Sequence, residues 1–162
     1  MAGVTTFVVA LLIVIVLLDT EQDGVSLAAA SRTVALTLES ESGILENAPE
    51  TSNFDEKLSD QWYVKYMDYL YAQGYLDSGV IQADERSATS AVTYAVLSDW
   101  AKKASEEGNG KTDALLSYMD AGDRAKKAVS SENFWKFYDA FRAAADPEGA
   151  VAEVETDLYG TP

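Results

Sequence analysis

An uncharged run near the start of this sequence constrains it most. Val4–Leu18 (VTTFVVALLIVIVLL) holds Val, Ile, Leu, Phe and Ala, broken only by Thr5 and Thr6. With Ala2 and Gly3 it reaches about 17 residues, roughly 25 Å as a helix, at the short end of what crosses a bilayer. A helix apolar on every side needs hydrocarbon or a large protein interior around it, and the roughly 100 residues left for a folded domain supply little interior. The expectation is a single-pass anchor over residues 1–18, with Phe7, Leu11, Leu12, Ile15 and Leu18 facing lipid. A cleaved signal peptide is the rival, with Ala28-Ala29-Ala30 as a cleavage site of small residues. No Lys or Arg precedes the run, however, and Asp19–Ala30 is long and acidic for such a region.

Charge sets the expected side. The first basic residue is Arg32, so the Lys/Arg rule is nearly silent. Asp19, Glu21 and Asp23 follow the run, which places the C-terminal domain in the periplasm or outside the cell. The chain carries 27 acidic and 12 basic residues among 162, a formal charge of −15. That surface repels phosphate backbones, so no nucleic-acid partner is expected. It also repels anionic lipid, which leaves the anchor as the contact with the bilayer.

Chemistry is narrowed by what is absent. There is no His and no Cys, so imidazole catalysis, thiol chemistry and His or Cys metal ligation drop out. No Gly-x-Ser-x-Gly turn and no phosphate-cradling glycine loop occurs. Asp120 and Asp123 would share a face if residues 112–129 were helical, but chance carboxylate pairs are common in so acidic a chain. No enzyme activity, cofactor or metal is expected.

Beyond the anchor, residues 19–58 read as an acidic polar linker. Within it, the alternation of Val34, Leu36 and Leu38 suggests a short strand over 32–39, with a helix continuing from Leu27–Ala30 as the competing reading. Residues 39–60 hold seven acids and one Lys, a composition suited to an extended arm. A helical domain is expected over 59–146, with helices near 60–74, 89–104, 112–129 and 131–145, and a tail over 147–162. Ser59 or Asp60 would cap the first helix and Gly74 would stop it. Ser131 would cap the last, whose Phe134, Phe137, Phe141 and Ala145 form an apolar stripe ended by Pro147. The fold class is thus mainly α: a transmembrane helix plus a small acidic helical bundle. Tyr63, Tyr66, Tyr69, Tyr71 and Tyr75 crowd one helix and its turn. They are too many to face inward together, and they suit either a core with wetted hydroxyls or a stacking surface.

Residues 54–104 resemble a single S-layer homology module, a helix–loop–helix unit of cell-envelope proteins. Phe54-Asp55 precedes Trp62 by the family's separation, Gly74 closes the helix twelve residues after Trp62, and Gly79 opens the loop. Thr89-Ser90-Ala91-Val92 with Leu97 stands where the family carries Thr-Arg-Ala-Glu and its following Leu. The resemblance implies a small helical bundle that binds secondary cell-wall polysaccharide, with Trp62, Tyr66, Thr89 and Ser90 as candidate glycan or partner contacts. Ser90 and Val92 replace the family's Arg and Glu, the loop is short, and one copy is recognised where members usually group three. A peptidoglycan-binding three-helix module, suggested by Gly74-Tyr75-Leu76 and Ala91-Val92, fits nearly as well.

Three functions follow from these readings. The first is a non-catalytic, membrane-anchored structural or interaction protein of a cell envelope or membrane-containing virion, with other envelope or virion proteins as partners. The second is a module binding cell-wall glycan or peptidoglycan. The third is a pilin-like filament subunit, although Thr5 stands where type IV pilins usually carry Glu.

Overall fold

The structure, a computed structural model, describes residues 24–49, 52, 54, 58, 60–77, 88–107 and 113–145. Its elements are α1 (Leu27–Leu38), α2 (Glu41–Glu46), α3 (Val64–Ala72), α4 (Tyr94–Glu107), two 3-10 turns (Asp113–Tyr118 and Gly122–Arg124) and α5 (Ser131–Ala145). The protein is mainly helical. Among the described residues no helix is long and apolar enough to cross a membrane. The expected anchor, with Phe7, Leu11, Leu12, Ile15 and Leu18, lies outside the described residues, as does the tail over 147–162.

Three tripeptides hold the centre: Gly24-Val25-Ser26, Ala91-Val92-Thr93 and Ala128-Val129-Ser130. Each has a small residue, then Val, then a hydroxyl residue, and each leads at once into a helix, α1, α4 or α5. Their backbones close a ring. The Val25 amide donates to the Val129 carbonyl (3.2 Å), the Val129 amide to Val92 (2.9 Å) and the Val92 amide to Val25 (2.7 Å). Single antiparallel bridges link Gly24 to Ser130, Ser26 to Ala91 and Thr93 to Ala128, so each segment meets both others in the same register. Leu27 donates to the Ser90 carbonyl (2.8 Å), and the matching Tyr94 donates to that of Lys127 (3.2 Å). The three valines are buried. Space requires glycine at position 24, since a Cβ on Gly24 would lie 2.8 Å from the Cβ of Ala91. The hydroxyls cap: Ser26 Oγ accepts from the Ala29 amide (3.1 Å) and Ser130 Oγ from that of Asn133 (3.3 Å).

The strand expected over 32–39 is a helix. Ser26 caps it, and its inward face is a run of Leu27, Ala28, Ala29, Ala30, Val34 and Ala35, all buried. Its two β-branched threonines are accommodated because each hydroxyl bonds back along the helix. Thr33 Oγ1 donates to the Ala29 carbonyl (3.0 Å) and Thr37 Oγ1 to that of Thr33 (2.8 Å). Tertiary packing overrides a weak local preference here. The expected acidic linker is also partly folded. Ser40 caps α2 through the Gly43 amide, and Ile44 is fully buried, so α2 is anchored on the core through Gly43 and Ile44 while its other residues are exposed.

The helix near 131–145 agrees with expectation, and the one near 60–74 is found shorter, as Val64–Ala72, with Tyr63 rather than Asp60 at its N-terminus and no side-chain cap. Gly74 has φ +81°, the left-handed stop that favours glycine, and the Tyr75 amide then reaches back to the Leu70 carbonyl (2.8 Å). The second expected helix starts later, because Thr93 rather than Thr89 precedes α4. The third expected helix, 112–129, gives way to two short turns. Gly122 at φ +51° breaks the chain direction, and residues 128–130 must be extended to enter the ring. Ser98 Oγ fastens this connection by donating to the Met119 carbonyl (2.6 Å).

The core joins α4 and α5. Trp100, Phe134, Phe137 and Phe141 are fully buried, with ring centroids 5.7 Å apart for Phe137 and Phe141 and 6.4 Å for Trp100 and Phe137. Trp100 Nε1 donates to the Tyr75 carbonyl (2.9 Å), tying the turn after α3 to α4. Four of the five clustered tyrosines, Tyr63, Tyr66, Tyr69 and Tyr75, are buried, more than one inward face would hold. Neighbours include α1 and α2, and the Phe54 ring stands edge-on to Tyr63 at 6.1 Å.

Two substitutions test this account. Gly24→Ala should destabilise by about 1–3 kcal/mol through overpacking, whereas a compatible site would gain about 0.4–1 kcal/mol. A gain measured by urea denaturation would mean the ring has room. Trp100→Ala should cost about 3–5 kcal/mol by the same assay.

Candidate functional site

A cleft of about 770 Å³ opens where α1, α2 and α3 meet the segment before α3. Residues 61, 65 and 68 follow i, i+4, i+7, and 62 and 66 follow i, i+4, so the turn entering α3 and α3 itself present Gln61, Trp62, Lys65, Tyr66 and Asp68 together. Arg32 comes from α1, Glu41 from the first turn of α2, and Ser52 from the preceding segment.

The polar groups of the cleft are interlocked. Lys65 Nζ forms an ion pair with Glu41 Oε1 and lies 4.8 Å from the Tyr66 ring centroid. Tyr66 is buried, and its hydroxyl donates to the same Glu41 oxygen at 3.4 Å. Ser52 Oγ donates to Asp68 Oδ2 (2.7 Å) and accepts from the Phe54 amide (3.1 Å), which fixes the buried Asp68 carboxylate against the cleft wall. The hydrogen bond and charge of Lys65 hold the Glu41 carboxyl below the ordinary carboxylate range. Smaller contributions come from Tyr66 and from the Arg32 charge, and slight burial opposes them. The bond to Glu41 correspondingly raises Lys65. Because both side chains are substantially exposed, this pair adds little to stability, on the order of 0–1 kcal/mol. Its effect is to fix the cleft's rim.

Trp62 is half-buried and leans edge-on against Tyr63, with centroids 5.7 Å apart, while also lining the cleft. The structure therefore brings together two of the four residues expected as contacts, Trp62 and Tyr66. Thr89 and Ser90 do not line this cleft. Both are exposed at the entry to the central ring, where the Ser90 carbonyl accepts from Leu27.

Arg32, Glu41, Lys65 and Asp68 were not singled out from sequence. The periodicity of Gln61, Lys65 and Asp68 beside Trp62 and Tyr66 was a usable signal for one wall. Arg32 and Glu41 reach the site only because α1 and α2 fold as helices, and the strand and linker readings hid them.

Asp120 and Asp123 sit exposed in the connection between α4 and α5, where Asp120 Oδ1 accepts from the Gly122 amide (2.9 Å). They do not share a helical face. Among the described residues no group of three carboxylates is placed to hold a metal ion. What the cleft offers is recognition: one indole, one tyrosyl ring, two cations, two carboxylates, an amide and a hydroxyl.

No protein-family model, no curated protein and no solved structure matches this chain.

Proposed function

We propose that this chain is a non-catalytic interaction protein, held to a membrane by one N-terminal helix over Val4–Leu18. Its helical domain is presented at the outer side of a cell envelope or of a membrane-containing virion. The observation that carries this reading is the apolar run itself. Its large apolar side chains each cost roughly 1.5–3 kcal/mol to leave in water, so together they demand hydrocarbon or a partner's interior on the scale of tens of kcal/mol. Hydrocarbon satisfies that demand with no further protein. The −15 charge then keeps the attached domain solvated and off an anionic lipid surface.

A second reading is favoured by a specific placement, that of Trp62 beside Tyr66 in one polar cleft. In this reading the domain binds cell-wall glycan there, with the indole against a sugar ring's apolar face and Gln61, Ser52 and Asp68 near its hydroxyls.

Two experiments test these readings. In oriented vesicles the full-length protein should resist extraction by salt and alkaline washes, and its domain should be cleaved only by protease added on one side. Release by mild salt would refute the anchor. For the glycan reading, Trp62→Ala should weaken sedimentation with purified wall material by about tenfold or more, compared at a temperature where circular dichroism shows the variant folded. Undiminished binding by that variant would rule out the cleft as the glycan site.

A further inference from the structure

One charged group in the cleft has unmet bonding capacity. Glu41 takes Lys65 and Tyr66, and Asp68 takes Ser52. Arg32 differs. Its Nε is shielded from solvent and donates to no acceptor. The ion pairs of the described residues are Lys65–Glu41, Lys103–Glu107 and Lys136–Glu132, and Arg32 is in none of them. Its guanidinium is held instead by the Tyr66 ring, with Cζ 5.8 Å from the centroid. A guanidinium resting on an aromatic ring, with a buried N–H unsatisfied, is preorganised for a planar acceptor.

Charge narrows what that acceptor can be. Arg32 and Lys65 balance Glu41 and Asp68, so the lining is neutral overall inside a chain of −15. A polyanion would meet the negative field of the whole protein. A single carboxylate is spared most of that field, because charges beyond about 8 Å are screened at physiological salt, and it meets the cleft's own balanced set, in which Arg32 has a donor without an acceptor. The two oxygens of a carboxylate also match the guanidinium fork.

We propose that Arg32 anchors a carboxylate subsite, so that the cleft takes a ligand bearing one carboxylate on an otherwise polar, uncharged body. This rests on the reading of the cleft as a ligand site. It adds the charge of the ligand and the residue that selects it. The carboxylate comes from a sugar acid or from the free end of a short peptide. In either case the acid docks on Arg32 while Trp62, Gln61 and Ser52 contact the neutral part.

The test uses the full-length protein in detergent micelles and two matched pairs of probes, followed by calorimetry or NMR titration. One pair is methyl β-glucuronide and its carboxamide, and the other is N-acetyl-alanyl-alanine and its C-terminal amide. The acid of one pair should bind about tenfold or more tighter than its amide, and the pair that discriminates identifies the source. Arg32→Gln should bring that acid to the level of its amide, and Arg32→Lys should retain part of the preference. Because the amide arm leaves the protein unaltered, a folding defect in either variant cannot imitate the result. Equal affinity of acid and amide in both pairs, or no binding by any of the four, overturns the subsite. If acid and amide bind equally and Trp62→Ala abolishes both, the cleft stands as a ligand site while the role of Arg32 falls.

Discussion

The closed ring of backbone hydrogen bonds at Val25, Val92 and Val129 sets the position of the three longest helices of the structure. An extended segment has amides and carbonyls on two sides, and three such segments meeting in one register satisfy one another at a point where water is excluded. The side chains follow from that geometry. Gly24 must lack a side chain, because a Cβ there would meet that of Ala91. The valine fills the centre, and the following Ser or Thr ends the extended stretch. Ser26 and Ser130 are seen to convert that ending into a helix start by capping. Since the three valines are far apart in sequence, the ring closes only when most of the chain is in place. It therefore joins α1 to the aromatic core of α4 and α5 as one cooperative unit.

Much of this was readable wherever a local pattern coincided with a tertiary requirement. Phe134, Phe137 and Phe141 recur at helical spacing and do face the core, and Gly74 does stop α3. The misreadings have the opposite cause. Val34, Leu36 and Leu38 alternate like a strand, but only Val34 is fully buried, because the helix is packed through its alanines and back-bonded threonines. Residues 112–129 are rich in helix formers, yet the ring needs Val129 extended, and a long-range demand of that kind leaves no periodic trace. The small–Val–Ser/Thr signal was present three times. At three residues per copy, unequally spaced along the chain, it stands out only once its copies are seen to meet.

The cleft divides along the same line. Trp62 and Tyr66 are four residues apart and were both expected as contacts, whereas Arg32 enters from α1, offered by the sequence only as the competing reading, and Glu41 from α2, which was read as linker. Reading the acidic stretch as solvated linker was reasonable by composition. It failed because Ile44 and the Ser40 cap suffice to hold a short helix against α3, after which Glu41 can reach Lys65. Exposed charge by itself says little about whether a segment is packed. One buried side chain per turn decides it.

Electrostatics then connects the two ends of the argument. The surface charge acts at the range of the Debye length and repels extended polyanions more than small or neutral molecules. Inside the cleft the relevant distances are a few ångströms, and there Lys65, Glu41, Asp68 and Ser52 already satisfy one another. Binding energy at such a site comes from groups with spare capacity, among them Arg32, whose Nε has no acceptor, and Trp62, which lines the cleft. A chain so acidic can still hold an acid, provided the acid carries one charge and that charge is read at contact distance.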